Sequence, residues 1–359
     1  MNLSDRPALD QMLLNDWQRD FPLCARPYAE VAERCGCDEA TVLRTYQRLL
    51  HEGSISRIGG VWGAGAGGAA MLCAQAVPTH RLQAVAEEIN AIDGVNHNYE
   101  REHRYNLWFV ITGHDKASVH AHVDRLEQRT GLQALRLPMV RPYRIDLGFD
   151  LRQTQQAAHP GETPAATRRR ATPVDPADAP LATLVEAGLP VETLPYDRWA
   201  DSLGWPVARV QETLARWTAQ GSLRRFGVIV RHHDLGITAN AMTVIDMPDD
   251  LVDAAGARLA AQPGITLCYR RERHLDWPYN LYFMVHGHDR AQVGQLIADA
   301  IAHAGLLGRP RETLFSGQRF KQTGGRYFGS TQAGTSAATG DLPGPAARSP
   351  LETAHGHVA

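Results

Sequence analysis

An internal repeat constrains the fold of this chain more than any other feature of its sequence. Residues 95–110 read VNHNYEREHRYNLWFV and residues 265–285 read ITLCYRRERHLDWPYNLYFMV, so each copy has Tyr-x-Arg-Glu, a basic stretch and Tyr-Asn-Leu-aromatic-Phe. A second shared block lies upstream, where residues 54–59 read SISRIG and residues 222–227 read SLRRFG. Because both blocks keep nearly the same spacing between copies, the sequence predicts two homologous halves in one chain rather than a solenoid.

The composition limits the classes of function. With 359 residues, of which 43% are hydrophobic, the chain can form two or more domains with their own cores. The formal net charge of −2 gives no overall basic field, which argues against DNA binding as the main function. The five cysteines are scattered without paired CxxC motifs, which favours a reducing cytosol. Since no apolar signal core or membrane-length apolar run is found, we expect a cytoplasmic protein with no membrane partner.

The first half is predicted to contain two domains. Residues 1–60 indicate three short helices and a wing strand, with Pro27 suited to a first helical position and Asp38 suited to cap the third helix. This pattern is typical of a winged helix-turn-helix. Residues 61–150 then alternate as strand, helix, strand, strand, helix and strand, which predicts the ferredoxin-like βαββαβ arrangement.

The same plan repeats in the second half. Residues 151–179 are rich in Gln, Ala, Pro, Thr and Arg without apolar periodicity, which predicts a flexible linker. We assign residues 180–228 to a second winged helix-turn-helix, residues 229–328 to a second ferredoxin-like domain, and residues 329–359 to a disordered tail. The predicted fold class is therefore α+β, a tandem duplication of this pair of domains.

The helix-turn-helix units lack the basic surface that DNA reading requires. A recognition helix needs exposed side chains directed at phosphates and base edges. Arg44 and Arg48 in the first half are interspersed with acidic residues, and Arg209 and Arg216 in the second half flank Glu212. Neither helix forms a basic stripe, so we interpret both units as retained scaffolds that no longer read DNA.

A glycine-rich segment, Gly63-x-Gly65-x-x-Gly68, matches a dinucleotide-binding motif literally. It leads into the predicted strand at residues 69–73 rather than into a helix, so a pyrophosphate would have no helix N-terminus to bind. The segment is better interpreted as a mobile loop over a site.

The repeated blocks place basic and aromatic side chains at the turn between the two central strands of each sheet. Arg101 and Arg271 occupy equivalent positions there, and Arg57 and Arg225 are equivalent in the upstream block. The planar guanidinium group suits carboxylates, and neighbouring rings such as Trp277 provide flat apolar surface. The combination favours a large, flat, polycarboxylated ligand.

Three histidines, His97, His103 and His274, lie in or beside the same blocks. A histidine near its free pKa can donate a proton at neutral pH, and it can also ligate iron. The alternating apolar residues of the blocks, such as Phe109 and Phe283, are assigned to the strand cores instead.

A winged helix-turn-helix followed by βαββαβ resembles the Lrp/AsnC architecture of leucine-responsive regulators. The segments REHRYNLWF (101–109) and RHLDWPYNLYF (273–283), with SRIG and RRFG upstream, look like the two subunit types of the sirohaem decarboxylases. The resemblance covers the chain except for the linker and the tail. Both types in one polypeptide are similar to the fused form of haem d1 biosynthesis in denitrifying bacteria.

This resemblance implies that the chain removes carbon dioxide from the acetate side chains on C12 and C18 of sirohaem, giving 12,18-didecarboxysirohaem. Protonation of a ring carbon would create the electron sink, so the site must supply a proton donor, hold the macrocycle and exclude water. No cofactor is required, and the sirohaem iron arrives with the substrate. We predict no metal site, because Cys35-x-Cys37 has no second ligand pair near it in sequence.

The residues predicted for the site divide into two groups. The predicted catalytic residues are His103, His274, Tyr105 and Tyr279. The predicted substrate-binding residues are Arg57, His97, Arg101, Asn106, Arg225, Arg271, Asn280 and Trp277. The second half inserts residues before Tyr279 and has Arg273 where the first half has His103, so the two sites are expected to differ in role.

Two other classes of function remain open from the sequence. The first is an Lrp/AsnC-like transcriptional regulator that senses an amino acid or haem, although a tandem of diverged halves fits a palindromic operator poorly. The second is a haem carrier that binds a tetrapyrrole without turnover. For assembly we expect an internal pseudo-dimer of the two halves, with further homo-oligomers and contacts with other haem d1 biosynthesis enzymes as additional partners.

Overall fold

The computed structural model describes residues 6–145, 171–231, 239–287 and 289–329. Most of the predicted linker and the tail after residue 329 therefore lie outside the described residues. Within the described ranges, no helix combines the length and apolarity needed to cross a membrane.

The first helix-turn-helix unit follows the predicted order. It consists of α1 (Ala8–Asn15), α2 (Pro27–Cys35), α3 (Glu39–His51) and the wing strand β1 (Ile55–Trp62). Gly36, with a φ of 68°, ends α2 in the left-handed conformation that glycine adopts without strain. The side chain of Asp38 caps α3 by accepting a hydrogen bond from the Thr41 amide at 2.8 Å.

The first ferredoxin-like unit comprises β2 (Ala69–Gln75), α4 (Leu82–Asn90), β3 (Val95–Arg101), β4 (Leu107–Gly113), α5 (Lys116–Thr130) and β5 (Ala134–Ile145). The second half repeats both units. Its helix-turn-helix contains α6 (Ala179–Ala187), α7 (Pro195–Leu203), α8 (Val207–Gln220) and β6 (Leu223–Val230). Its sheet unit contains β7 (Ala239–Ile245), α9 (Val252–Ala260), β8 (Ile265–Arg271), β9 (Leu281–Gly287), α10 (Arg290–His303) and β10 (Arg311–Gln322). The predicted tandem α+β fold is confirmed.

The two four-stranded sheets join into one closed sheet of eight strands. Within the halves the orders are β5-β2-β4-β3 and β10-β7-β9-β8, which is the ferredoxin-like order in both. The last strand of each half, 12 residues long, pairs first with its own sheet and then crosses to the other half. Thus β5 pairs with β2 and then β8, while β10 pairs with β7 and then β3.

The alternation of side chains along the strands separates an outer and an inner face. Outer residues such as Phe109 and Phe283 pack against the helices of their own half, as predicted. Inner residues such as Trp108 and Tyr282 form a core shared by both sheets. The two wings, β1 and β6, pair with each other, and both helix-turn-helix units share one core.

The predicted linker extends too far at its C-terminal end. The Ala171 amide donates to Ala64 O at 3.2 Å and the Val174 amide donates to Ala66 O at 2.7 Å. Both apolar side chains are at least nine-tenths buried, so burial of this segment outweighs its polar composition. Ala171 and Val174 are therefore anchored to the first half.

Candidate active site

The turns that carry the repeated motif in the two halves meet each other. The guanidinium group of Arg104 donates to Asp276 O at 3.1 Å. The ring of Trp277, from the second half, lies edge-on to His103 and Tyr105 of the first half, with centroid distances of 5.3 Å and 5.8 Å. The fold thus joins four of the predicted residues with Glu312 in one group, the turn cluster, which consists of His103, Tyr105, Trp277, Tyr279 and Glu312.

Glu312 links the two halves within the turn cluster. Its Oε2 lies 2.7 Å from Nε2 of His103, and its Oε1 accepts a hydrogen bond from the Tyr279 hydroxyl at 2.9 Å. Nδ1 of His103 accepts a hydrogen bond from the Tyr105 amide at 3.0 Å. The neutral ring therefore carries its proton on Nε2, directed at the carboxylate.

Burial and charge act in opposite directions on His103. Burial lowers the pKa of His103, the charge of Glu312 raises it, and the nearby charge of Arg104 lowers it. Burial and the hydrogen bond to Glu312 raise the pKa of Tyr279 to about 12, so its hydroxyl remains a donor at neutral pH. The cluster holds a histidine, a carboxylate and a phenol in one hydrogen-bonded row.

Trp277 occupies the centre of this group because the second-half turn is longer. The turn closes on itself through backbone hydrogen bonds between His274 and Trp277. The Trp277 indole, 1% exposed, donates to the Tyr282 hydroxyl at 2.7 Å and packs against Trp108 at 5.3 Å. The residues inserted before Tyr279 therefore place the aromatic ring of Trp277 beside His103.

Arg101 and Arg271 are buried at equivalent positions on the inner face. Arg101 donates to Leu314 O at 2.9 Å and Arg271 donates to Leu137 O at 2.6 Å, so each bonds to a strand of the opposite half. Nε of both arginines lacks a partner, and among the described residues no carboxylate pairs with either guanidinium group. Burial lowers the pKa of Arg101 to about 10. Two buried cations without counter-ions are suited to bind an anionic ligand.

The other predicted arginines lie in the wing sheet. Arg57 on β1 is partly buried and donates to Gly60 O at 3.0 Å, and its desolvation lowers its pKa. Arg225 on β6 is buried and faces Val61 in the strand register. Both arginines therefore lie on the paired wing strands β1 and β6.

His97 lies on β3, on the same face as Arg101. Its ring stacks on Tyr99 with centroids 6.2 Å apart, and its Nδ1 lies 2.8 Å from Oδ1 of Asn96. Burial lowers the pKa of His97 to about 4, so the ring is neutral at physiological pH. It is suited to hydrogen bonding or ligation rather than to carrying charge.

Asn106 and Asn280, which the sequence predicts as substrate-binding residues, both form hydrogen bonds to the backbone. The Asn106 amide bonds to both the N–H and the C=O of Val77, at 2.9 Å and 2.8 Å. The Asn280 amide bonds to both backbone groups of Met247 at 3.0 Å. Each side chain satisfies the backbone of a residue that follows a strand, so both asparagines hold the turns in place.

His274 lies outside the turn cluster. Its side chain is 38% exposed, and its Nδ1 accepts a hydrogen bond from the Asp276 amide at 3.2 Å within its own turn. The structure therefore gives the two predicted acids different surroundings, with His103 enclosed and His274 at the surface.

Sequence reasoning missed Glu312. A single glutamate at the start of a predicted strand carries no signal of its own, because its partners His103 and Tyr279 come from other elements. Only the crossing of β10 between the halves brings these groups together. In the described part of the chain, no group of three or more His, Cys, Asp or Glu side chains could hold a metal ion.

Comparisons with known proteins agree with this architecture. The AsnC-like ligand binding domain matches residues 65–144 and 234–321, and the siroheme decarboxylase NirDL-like HTH domain matches residues 10–55. A siroheme decarboxylase NirDL subunit of Paracoccus pantotrophus is 40% identical over 321 residues, which cover 88% of this chain and 96% of the relative. A siroheme decarboxylase NirD subunit of Stutzerimonas stutzeri is 51% identical over 144 residues, covering 40% of this chain and 95% of that relative.

A solved structure shows the same fold over most of the chain. The crystal structure of the siroheme decarboxylase NirDL in complex with an iron-uroporphyrin III analogue has 26% sequence identity and a TM-score of 0.62. The match covers 91% of this chain and 95% of that one. Given this match and a relative that is 40% identical over 88% of this chain and 96% of its own length, the chain belongs to the sirohaem decarboxylase family.

Proposed function

We propose that this protein is a carbon–carbon lyase that removes the carboxyl groups of the C12 and C18 acetates of sirohaem, giving 12,18-didecarboxysirohaem. The observation that carries the proposal is the pair of buried, uncompensated cations Arg101 and Arg271 on one inner face, near a turn cluster that holds an enclosed histidine. A relative in this family has been crystallised with an iron-uroporphyrin III analogue, which is also a large polycarboxylated macrocycle.

The reaction needs a proton donor and an electron sink. A proton adds to the ring carbon next to the one that bears the acetate, so that the positive charge is shared by the acetate-bearing carbon, and the bond from the methylene carbon to the carboxylate then breaks. Its electron pair neutralises the ring as an exocyclic methylene forms and carbon dioxide leaves. Transfer of the added proton from the ring carbon to the methylene carbon gives a methyl group, so each cycle consumes one proton and releases one carbon dioxide.

His103 is the acid that the geometry favours. It lies between the rings of Tyr105 and Trp277, and this aromatic packing limits the access of water to the imidazole. Arg101 and Arg271 would hold carboxylates that do not react, because bidentate contacts of guanidinium groups fix a carboxylate in orientation. The exposed position of His274 predicts that His274→Ala retains more activity than His103→Ala.

The decisive experiment is anaerobic incubation of the purified protein with sirohaem, followed by mass spectrometry of the tetrapyrrole. Loss of two carbon dioxide units supports the proposal, and loss of one shows that a single acetate is processed. Binding with unchanged mass favours the carrier, whereas no binding favours a regulator, which an electrophoretic shift with DNA at varied salt would then test.

Four further expectations are part of the proposal. These are independence from any added cofactor, a cytoplasmic location, association of whole chains into a homo-oligomer, and contact with other enzymes of haem d1 biosynthesis. The short relative that spans less than half of this chain supports the view that the two halves act as a pair.

A further inference from the structure

The carboxylate of Glu312 is the one acidic group that bonds to His103 in the described part of the chain. It lies 2.7 Å from Nε2 of the ring while its other oxygen accepts the Tyr279 hydroxyl at 2.9 Å. Two contacts on two different oxygens fix the carboxylate in both position and rotation. His103 is held in turn, since its side chain is only 17% exposed and its other nitrogen accepts the Tyr105 amide.

The fold itself does not require an acidic residue at this position. Leu314 and Leu137 accept equivalent hydrogen bonds from Arg101 and Arg271, so β10 and β5 are aligned at these two leucines. Two residues upstream, the position of Glu312 in β10 corresponds to Leu135 in β5, which is 2% exposed in the inner core. A leucine therefore occupies the equivalent position in the other half.

The same asymmetry applies to the partner of the carboxylate. Arg273, which stands where the first half has His103, forms ion pairs with Asp246 at 3.0 Å and Asp249 at 2.7 Å. The histidine–glutamate pair is therefore confined to one of the two equivalent ends, and it needs β10 of the second half to reach a turn of the first.

We infer that Glu312 is a positioning residue for the proposed decarboxylation, which holds the ring of His103 and keeps its protonated form accessible beside the bound substrate. This inference rests on the proposed function. In the free protein the Nε2 proton is directed at Glu312; a second proton, gained at Nδ1 with release of the Tyr105 amide, makes the imidazolium that can protonate the ring carbon.

The charges around His103 set the direction of the effect. Glu312 from β10 favours the imidazolium, Arg104 from the same turn disfavours it, and Tyr279 from the opposite turn reaches His103 only through Glu312, with Asp246 near its hydroxyl. With an amide in place of the carboxylate, burial and the charge of Arg104 still lower the pKa of His103, and the charge of Glu312 that raised it is gone. The pKa of His103 then falls, and the falling limb of the activity profile moves to lower pH.

The test compares kcat and KM for sirohaem across pH in the wild type, Glu312→Gln, Glu312→Asp and Tyr279→Phe. For Glu312→Gln we expect kcat near pH 7.5 to fall about tenfold per unit of pKa lost, with KM little changed and activity partly regained in acid. Glu312→Asp should restore part of the shift because it restores the charge. Glu272→Gln, the same chemical change at an exposed residue of the opposite turn, is the matched control and should behave as the wild type.

A second readout separates this inference from the proposed function. Proton titration of ring-labelled histidine by NMR, with the His103 signal assigned by its loss in His103→Gln, reports the pKa of His103 without substrate. A wild type that leaves sirohaem unchanged while Glu312→Gln lowers this pKa would remove the proposed function alone. The positioning role would be overturned by an active wild type whose Glu312→Gln variant keeps the same pH profile and the same His103 pKa. It would also be overturned if Glu312→Gln changed KM and left kcat unchanged.

Discussion

At the residue scale, the asparagines of the repeated motif form hydrogen bonds to backbone groups. Asn280 is 1% exposed and satisfies both backbone groups of Met247, while Asn106 does the same for Val77. Val77 and Met247 each lie between a strand and a helix, and the amide and carbonyl groups of such a residue need partners, which one side-chain amide can supply. Recurrence of Tyr-Asn-Leu in both halves therefore reflects a shared turn as much as a shared chemistry.

We predict that Asn280→Ala destabilises the protein by about 2–4 kcal/mol, because it leaves a buried N–H and a buried C=O of Met247 without partners. The measurement is the free energy of unfolding from denaturant titration. Gln295→Ala, which removes an exposed hydrogen bond to Asp299, is the control and should change stability by less than about 0.5 kcal/mol. Equal small effects in both variants would argue that Asn280 is free to act on substrate.

Glu186 is a buried carboxylate at the other end of the molecule. It accepts hydrogen bonds from the amides of Tyr327 and Phe328 at 2.7 Å and 3.4 Å, and burial raises its pKa from 4.5 to about 7 despite these bonds and the charge of Arg57. A folded-state pKa above the unfolded one means that the folded protein binds the proton more tightly. Stability is therefore lost as the pH rises from about 4.5 to about 7.

For this reason we expect Glu186→Gln to flatten the pH dependence of unfolding by about 3 kcal/mol between pH 4.5 and pH 8. Denaturant midpoints measured across this range for the variant and the wild type give the difference directly. Glu192→Gln, the same change at a carboxylate whose side chain is 40% exposed, should leave the profile unchanged. A Glu186→Gln profile that runs parallel to the wild type would contradict the raised pKa.

The sequence reveals a candidate site residue only where the repeat or the local context marks it. Arg101 and Arg271 were predictable because the repeat aligns them, and the structure places them equivalently. Glu312 was not predictable, because its neighbours come from other elements. His103 and His274 looked alike in sequence, yet burial separates them, and burial depends on the tertiary path of Trp277.

At the scale of elements, the glycine-rich loop packs against Tyr327 and Phe328 at the end of the second half. A Cβ at Gly67 would lie 2.5 Å from the Phe328 ring, and a Cβ at Gly68 would lie 2.8 Å from Cβ of Tyr327. Phe328 also packs on Trp62 at 4.8 Å. The prediction of a mobile covering loop is therefore replaced by a packed loop, whose glycines are needed for close approach.

Gly68→Ala should destabilise the protein, because a φ of +61° strains an L residue and the new methyl group would meet Gly113 O at 2.5 Å. We expect a loss of about 2 kcal/mol or more in the free energy of unfolding. Gly294→Ala is the matched control, since this helical glycine has open space around it and should gain about 0.5–1 kcal/mol. If Gly68→Ala left the free energy of unfolding unchanged, the close packing at Gly68 would be contradicted.

The order of elements was predictable from periodicity, whereas their closure was not. Alternation and helical spacing gave all eight strands of the two ferredoxin-like units in the right order. The crossing of β5 and β10 into the opposite half depends on their length of 12 residues and on which edges remain unpaired, and both are properties of the assembled sheets.

At the scale of the whole molecule, the two helix-turn-helix units join the two halves. The wings pair with each other, and the tyrosines of the two helix-turn-helix units exchange equivalent bonds, Tyr28 to Pro190 O and Tyr196 to Pro22 O. Arg48 and Arg216, on the third helices, pair with Asp10 and Asp178 at 2.6 Å each. These contacts support a scaffold role for the units, because one arginine on each third helix forms an ion pair within the chain.

The halves should therefore fold only as a pair. If the chain is cut between residues 146 and 170 and the two pieces are coexpressed, we expect them to purify together, because β5–β8, β10–β3 and β1–β6 pair across the halves. Each piece alone would expose unpaired strand edges and half of the shared inner core, so we expect it to aggregate or to pair with its own copy. Light scattering during size-exclusion chromatography distinguishes these outcomes. Two pieces that each elute as a stable monomer would show that closure of the eight-stranded sheet is not what holds the molecule together.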